Sequence, residues 1–161
     1  IDSVKALASE GTAAIMLELV QGESGVQPAD QDFVKALSDF CKETGIYLIV
    51  DEVKTGMGRS GKWFCFEHAG ITPDVVVVGK ALGAGMPISA VIGPKELMDA
   101  GIAQHLFTTA GNLPLCALAI ENIKLLEENN LLENADERFV HPLFYPDPDR
   151  YQRSAYHRGR F

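Results

Sequence analysis

Two residues in this sequence have the type and placement that covalent chemistry on a small molecule needs. Asp51 directly follows the apolar residues Leu48, Ile49 and Val50, so its carboxylate is expected to be partly stripped of water and to require a partner. A structural ion pair or a helix cap is one such partner. Another is the nitrogen of a cationic heterocycle, which an ionised aspartate would hold protonated, making the ring a better electron sink. Lys80 follows four valines and a glycine and opens the small-residue loop KALGAGMP. Desolvation at such a position disfavours the ammonium and leaves more neutral amine to attack an aldehyde. The plainer alternative is an exposed lysine at a strand end.

Weaker candidates surround these two. Glu18 and Glu23, in ELVQGESGV, flank a glycine turn after an apolar run and could reach the same crevice as Asp51, unless they are solvated loop acids. Thr108 and Thr109 precede Ala110, Gly111 and Asn112 in a small polar loop of the kind that hydrogen-bonds phosphate, a common pattern. Gly56, Gly58 and Gly61 match the GxGxxG dinucleotide pattern. However, WFCFEHAGITP follows them without an obvious helix, and no suitably spaced acid ends a second strand, so nicotinamide binding is not expected. The four histidines stand apart from any ligand-spaced group of cysteines or carboxylates, and no metal site is expected.

The elements that must position these groups are legible as a strand–helix alternation. The run Ala13 to Val20, broken only by Glu18, reads as a strand covered on both faces. From Gln31 to Thr44 the residues Phe33, Val34, Leu37, Phe40 and Cys41 share a helical face, with Asp30 placed to cap the start and Gly45 to end it. Ile46 to Val53 and Asp74 to Lys80 are further apolar strands, and ISAVIG after Pro87 is a short one. Pro94 opens a helix near KELMDAG, and Pro114 precedes a longer helix through Leu126. This order implies an α/β layer with a mostly parallel sheet and flanking helices. Ligands in such sheets bind beyond the carboxyl ends of the strands, where Asp51, Glu52 and Lys80 fall.

Composition narrows the partners. At 161 residues with 47% hydrophobic and 22% charged, the chain can bury a core. A net charge of −8 argues against nucleic acid and favours a small-molecule enzyme or an interaction domain. No apolar run approaches the ~20 residues needed to span a bilayer, and no secretory signal opens the chain, so a cytoplasmic setting is expected. Cys41, Cys65 and Cys116 are odd in number and widely spaced, which suggests buried fillers rather than a disulfide framework. Residues 136–161 are basic, aromatic and proline-rich, and His141 to Phe161 reads as irregular chain apart from a unit over 1–135.

Taken together, LELVQGESGV, the run from Leu48 to Gly93 and LFTTAGN resemble the central part of the class III aminotransferases, which include the ornithine, acetylornithine and 4-aminobutyrate enzymes. Three motifs stand in the family's order and spacing over roughly Ala13 to Ala135. The resemblance implies a partial large domain of the pyridoxal-phosphate-dependent transferase fold, the aspartate aminotransferase-like type. It also implies transfer of an amino group between an amino acid and a 2-oxo acid, with pyridoxal 5'-phosphate as cofactor. By the same resemblance Asp51 pairs with the pyridine nitrogen, Val53 packs on the ring, and Lys80 forms the Schiff base and then shuttles the substrate proton. Thr108 matches the threonine that reaches the cofactor phosphate of a neighbouring subunit, implying a homodimer. Glu18 and Glu23 match acids near the substrate pocket.

The sequence departs from the family at three positions. Lys54 stands where a glutamine usually bonds the cofactor's ring hydroxyl, which brings a second amine close to the aldehyde. Leu19 replaces a proline, and Leu113 interrupts the usual Gly-Asn-Pro. The family's upstream phosphate loop and its C-terminal domain have no counterpart here, so the chain reads as a piece. FVHPLFYPDPDRY is similar to a segment that members carry upstream of the strand at Ala13, an order that would be rearranged; a divergent tail is the alternative. Two other readings stay open: an amino-acid racemase or epimerase on the same scaffold, and a non-catalytic remnant that keeps the fold.

Overall fold

The computed structural model describes residues 1–101 and 108–138. A short helix α1 (Asp2–Leu7) leads into strand β1 (Ala14–Glu18), followed by the small hairpin of β2 (Val20–Gln21) and β3 (Gln27–Pro28). Helix α2 (Gln31–Thr44) begins where the Asp30 carboxylate accepts the Phe33 N–H at 2.9 Å and ends at Gly45, whose φ of 73° a side chain would resist. Next come β4 (Tyr47–Asp51), a 3₁₀ turn at Cys65–Ala69 and β5 (Val75–Val78). A second 3₁₀ turn at Lys80–Gly83 leads to β6 (Ala90–Ile92), α3 (Lys95–Asp99), α4 (Leu113–Glu128) and α5 (Leu131–Arg138).

Four strands form one sheet in the order β1-β4-β5-β6, the first three parallel and β6 antiparallel. The fold is therefore α/β with a mostly parallel sheet, as the alternation of apolar runs implied. The start of the β4–β5 pairing is held by a two-way contact. The Asp74 carboxylate accepts the Leu48 N–H at 2.8 Å, and the Asp74 N–H donates to the Leu48 carbonyl at 2.9 Å. Pinning the start of β5 there sets Val77 beside Asp51, while Glu18 of β1 lies beside Asp51 on the other side.

The core lies on one face of this sheet. Leu48 and Val50 pack with Val34, Leu37 and Cys41 of α2, whose spacing puts them on one stripe. Val76 and Val78 pack with Ala119, Ile123 and Leu126 of α4. Burial of this kind contributes roughly 25 cal/mol per Å² of apolar surface removed from water, which makes these two clusters the main source of stability. No described helix is long and apolar enough to cross a membrane.

Three expectations need correction or relocation. β1 is not covered on both faces: its burial alternates, and Met16 is 57% exposed. Leu113, read as an interruption, is the first residue of α4. Asn112 caps that helix by accepting the Leu115 N–H at 3.3 Å, and Pro114 occupies the first turn, where a missing N–H costs nothing. The tail from His141 lies outside the described residues, as do Leu106 and Phe107, while α5 continues through Ala135 to Arg138.

Candidate active site

Three parallel strands end side by side, and the residues beyond their carboxyl ends converge. Glu18 and Asp51 are register partners, so two carboxylates project from the same face of neighbouring strands. Like charges placed this way repel and leave the patch in need of a cation. Asp51 is half-buried, and its Oδ1 accepts the Val53 N–H at 2.9 Å. Among the described residues no lysine or arginine forms an ion pair with it.

Glu52 turns the other way and anchors the loop that follows. It is 1% exposed; its carboxylate accepts the Phe66 N–H at 2.9 Å and the Thr55 hydroxyl, and its own N–H extends the ladder to the Val77 carbonyl at 2.8 Å. Burial pushes the Glu52 carboxyl above its ordinary range; bonds from Thr55 and from the Cys65 and Phe66 backbone oppose this, and nearby Glu67 adds to it. By fixing the chain on both sides of the strand end, Glu52 aims Asp51 and Val53 into the crevice.

Val53 reaches across to β5. A Cβ at Gly79 would lie 3.4 Å from the Val53 Cγ1 and 3.6 Å from the Ser89 Cβ, so the bare glycine keeps open a shallow space bordered by Val53, Ser89 and the start of the Lys80 turn. Lys80 itself has φ of 42°, a left-handed conformation that costs a non-glycine residue on the order of 1 kcal/mol. Its turn is tied down from α4, where the Asn122 side-chain amide donates to the Ala81 carbonyl at 2.7 Å and the Leu82 carbonyl at 3.2 Å. The desolvated setting expected for Lys80 is not found: the residue is exposed. The buried strand stops at Val78, and the left-handed turn carries Lys80 out to the rim.

Lys54 and Glu23 also meet. The Lys54 ammonium lies 3.5 Å from the Glu23 carboxylate, and its stem crosses Gly22 so closely that a Cβ there would overlap it. The Glu18 carboxylate accepts the Gly22 N–H at 3.4 Å, which draws this turn toward Asp51. Thr108 is exposed in the turn before α4, and no described contact joins it to Asp51 or Lys80. The structure thus groups Glu18, Glu23, Asp51 and Lys54 at neighbouring strand ends and sets Val53 against Gly79 just before Lys80, while no described contact joins Lys80 or Thr108 to Asp51.

The glycines of GMGRSG serve packing. The Cβ position of Gly58 lies 3.3 Å from Leu132 and that of Gly61 lies 2.7 Å from the Asp136 backbone, so both let α5 approach the loop. A cavity of about 790 Å³ lies on the α4 side of the Lys80 turn, lined by Arg59, Met86, Asn122 and Leu131 among others. Lys80 borders it, but Asp51, Val53 and Lys54 do not. The strand-end crevice holds the chemistry-bearing groups and is the better candidate site. Gly22, Gly79 and Asn122 were missed in the sequence because their roles depend on partners far along the chain. An asparagine inside an otherwise apolar helix was the available signal for Asn122.

Comparison with known proteins gives a consistent picture. The family model for class-III aminotransferases matches residues 1–141. The acetylornithine aminotransferase of Streptococcus mutans is 48% identical over 138 residues, covering 85% of this chain and 36% of that protein. Among solved structures, Plasmodium falciparum ornithine delta-aminotransferase superposes with a TM-score of 0.75 at 37% identity, covering 80% of this chain and 34% of that one. The Toxoplasma gondii ornithine aminotransferase, whose active site holds pyridoxal phosphate at partial occupancy, gives 0.69 at 37% identity over 78% of this chain and 29% of that one. The chain spans about a third of the length of the relatives it matches.

Proposed function

The chain belongs to the class-III aminotransferases, and from that premise we propose that it supplies the cofactor-binding centre for pyridoxal-phosphate-dependent transfer of an amino group between an amino acid and a 2-oxo acid. One observation carries the reading: Asp51, a half-buried carboxylate beside Glu18 with no ion-pair partner among the described residues, accepts the N–H of Val53, whose methyl groups border Gly79 just before Lys80. That donor set fits a flat cationic ring with an aldehyde. When bound, pyridoxal phosphate supplies the aldehyde that carries the amino group and a ring that withdraws electrons.

The residues of this chain divide the remaining work. With the cofactor bound, Asp51 would hold a proton on the ring nitrogen, Val53 would border the ring, and Lys80 would supply the amine for the aldehyde and a base for the proton of the substrate carbon. Lys54, which by the resemblance replaces a neutral hydrogen-bond donor, directs its ammonium to Glu23. Thr108 matches the family's threonine that reaches the cofactor phosphate of a second copy, and on that resemblance we assign the protein a homodimeric state; its exposure is compatible with such a contact. Ornithine, acetylornithine, 4-aminobutyrate and similar amines are its candidate donors. The racemase reading draws no support from the relatives compared.

The test is trapping. Pyridoxal phosphate is added to the 161-residue chain, the product is reduced with borohydride, and the phosphopyridoxyl group is located by peptide mass mapping. The proposal expects an adduct confined to Lys80 that disappears in Lys80→Ala. Unselective labelling spread over surface lysines, or none, would overturn it.

A further inference from the structure

Lys54 is the residue whose position the reading above leaves least explained. Its side chain is 39% exposed and that of Glu23 is 98% exposed, so the ion pair joins a half-covered cation to a carboxylate in water. The covering is specific: the lysine stem occupies the space that a side chain at position 22 would fill. The same turn is tied to Glu18, whose register partner is Asp51. An ammonium is therefore seated at the rim of a patch holding Glu18, Glu23 and Asp51. Its charge offsets that of Glu23, which would otherwise attract the ammonium of an incoming molecule.

We infer that Lys54 is a specificity-determining residue of this site, its ammonium occupying Glu23 and turning the rim toward substrates whose non-reacting end is anionic rather than cationic. The inference rests on the strand-end crevice being the cofactor and substrate site. A diamine whose far ammonium sought the exposed Glu23 carboxylate would lie beside the like charge of Lys54. An ω-amino carboxylate meets a cation at that point instead. Because the pair is largely in water, the discrimination it provides is modest, up to about fivefold in affinity.

Binding to the 161-residue chain, without added cofactor, tests this by the amide shifts of Gly22, Glu23 and Lys54 in nitrogen-15 spectra. The probes are 1,4-diaminobutane and 5-aminopentanoate. Wild type is expected to favour 5-aminopentanoate. Lys54→Gln should move the ratio of the two Kd values toward the diamine by about threefold to fivefold, and Lys54→Arg should keep it near the wild-type value. Glu23→Gln in the Lys54→Gln background should remove the gained diamine affinity. An unchanged ratio in Lys54→Gln, or equal loss in Lys54→Arg and Lys54→Gln, would overturn the role of Lys54. Borohydride trapping is read separately: an intact Lys80 adduct with an unchanged ratio refutes Lys54 alone, whereas a missing adduct refutes the cofactor site and, with it, the substrate role assigned to Lys54.

Discussion

Replacing Glu52 should separate the effect of its charge from that of its hydrogen bonds. Glu52 is 1% exposed and accepts from the Phe66 N–H and the Thr55 hydroxyl. Glu52→Ala would leave both donors without their acceptor, at about 1–3 kcal/mol for a buried unsatisfied group, partly offset because a charge no longer has to be desolvated. The expected loss is about 2–4 kcal/mol, or roughly 5–15 °C in Tm for a chain of this size. Glu52→Gln keeps the shape, accepting from Phe66 through its oxygen and donating to the Thr55 hydroxyl through its amide. Burial raises the Glu52 carboxyl above its ordinary value of 4.5, so between the unfolded and folded values the native state holds more protons than the unfolded chain. Stability contributed by this group therefore falls as pH rises through that window and is level above it. Glu52→Gln lacks that loss. Its stability relative to wild type should rise from near zero below pH ~4 to a plateau at neutral pH. Urea unfolding followed by the fluorescence of Trp63, the sole tryptophan and one packed on the second core cluster, reads both variants. An alanine variant as stable as wild type, or a glutamine variant whose advantage grows toward acid, would refute the account.

Two further perturbations probe the Lys80 turn. Lys80→Gly should be about 1 kcal/mol more stable than Lys80→Ala, since both lack the amine but only glycine is at ease at φ of 42°; equal urea midpoints would contradict the strain. Asn122→Ala should cost about 1–2 kcal/mol by removing two bonds to the Ala81 and Leu82 carbonyls. Amide exchange at Leu82 and Ala84, whose N–H groups close the same turn, should quicken; unchanged exchange would show that the turn does not depend on α4.

Much of the fold follows from patterns that act over a few residues. Asp30 and Gly45 bound α2 because capping and left-handed termination are local events, and the strands at Tyr47–Asp51 and Val75–Val78 lie where apolar runs end in Asp51 and just before Lys80. The shift of Leu113 from interruption to helix start is also local: with Asn112 as cap, an added residue lengthens α4 rather than breaking it. The exposure of Met16 could not be read this way, because an apolar run on an edge strand looks the same whether one face or both are covered.

The sequence by itself named the candidate groups and the family: an aspartate and a lysine at the ends of two apolar strands, and motifs in the order of the class-III aminotransferases. It did not reveal their proximity. Only the ladder registers set Glu18 and Val77 on either side of Asp51, the β1–β4 pairing on one side and the β4–β5 pairing, held at Asp74 and Leu48, on the other. Only tertiary contact joins Lys54 to Glu23 across 31 positions, or Asn122 to the Lys80 turn across about 40. The reason is physical. Caps, turns and strand runs are set by interactions within a few residues, whereas the distance between charges on different strands is set by ladder register and packing, quantities that belong to no single segment of the chain.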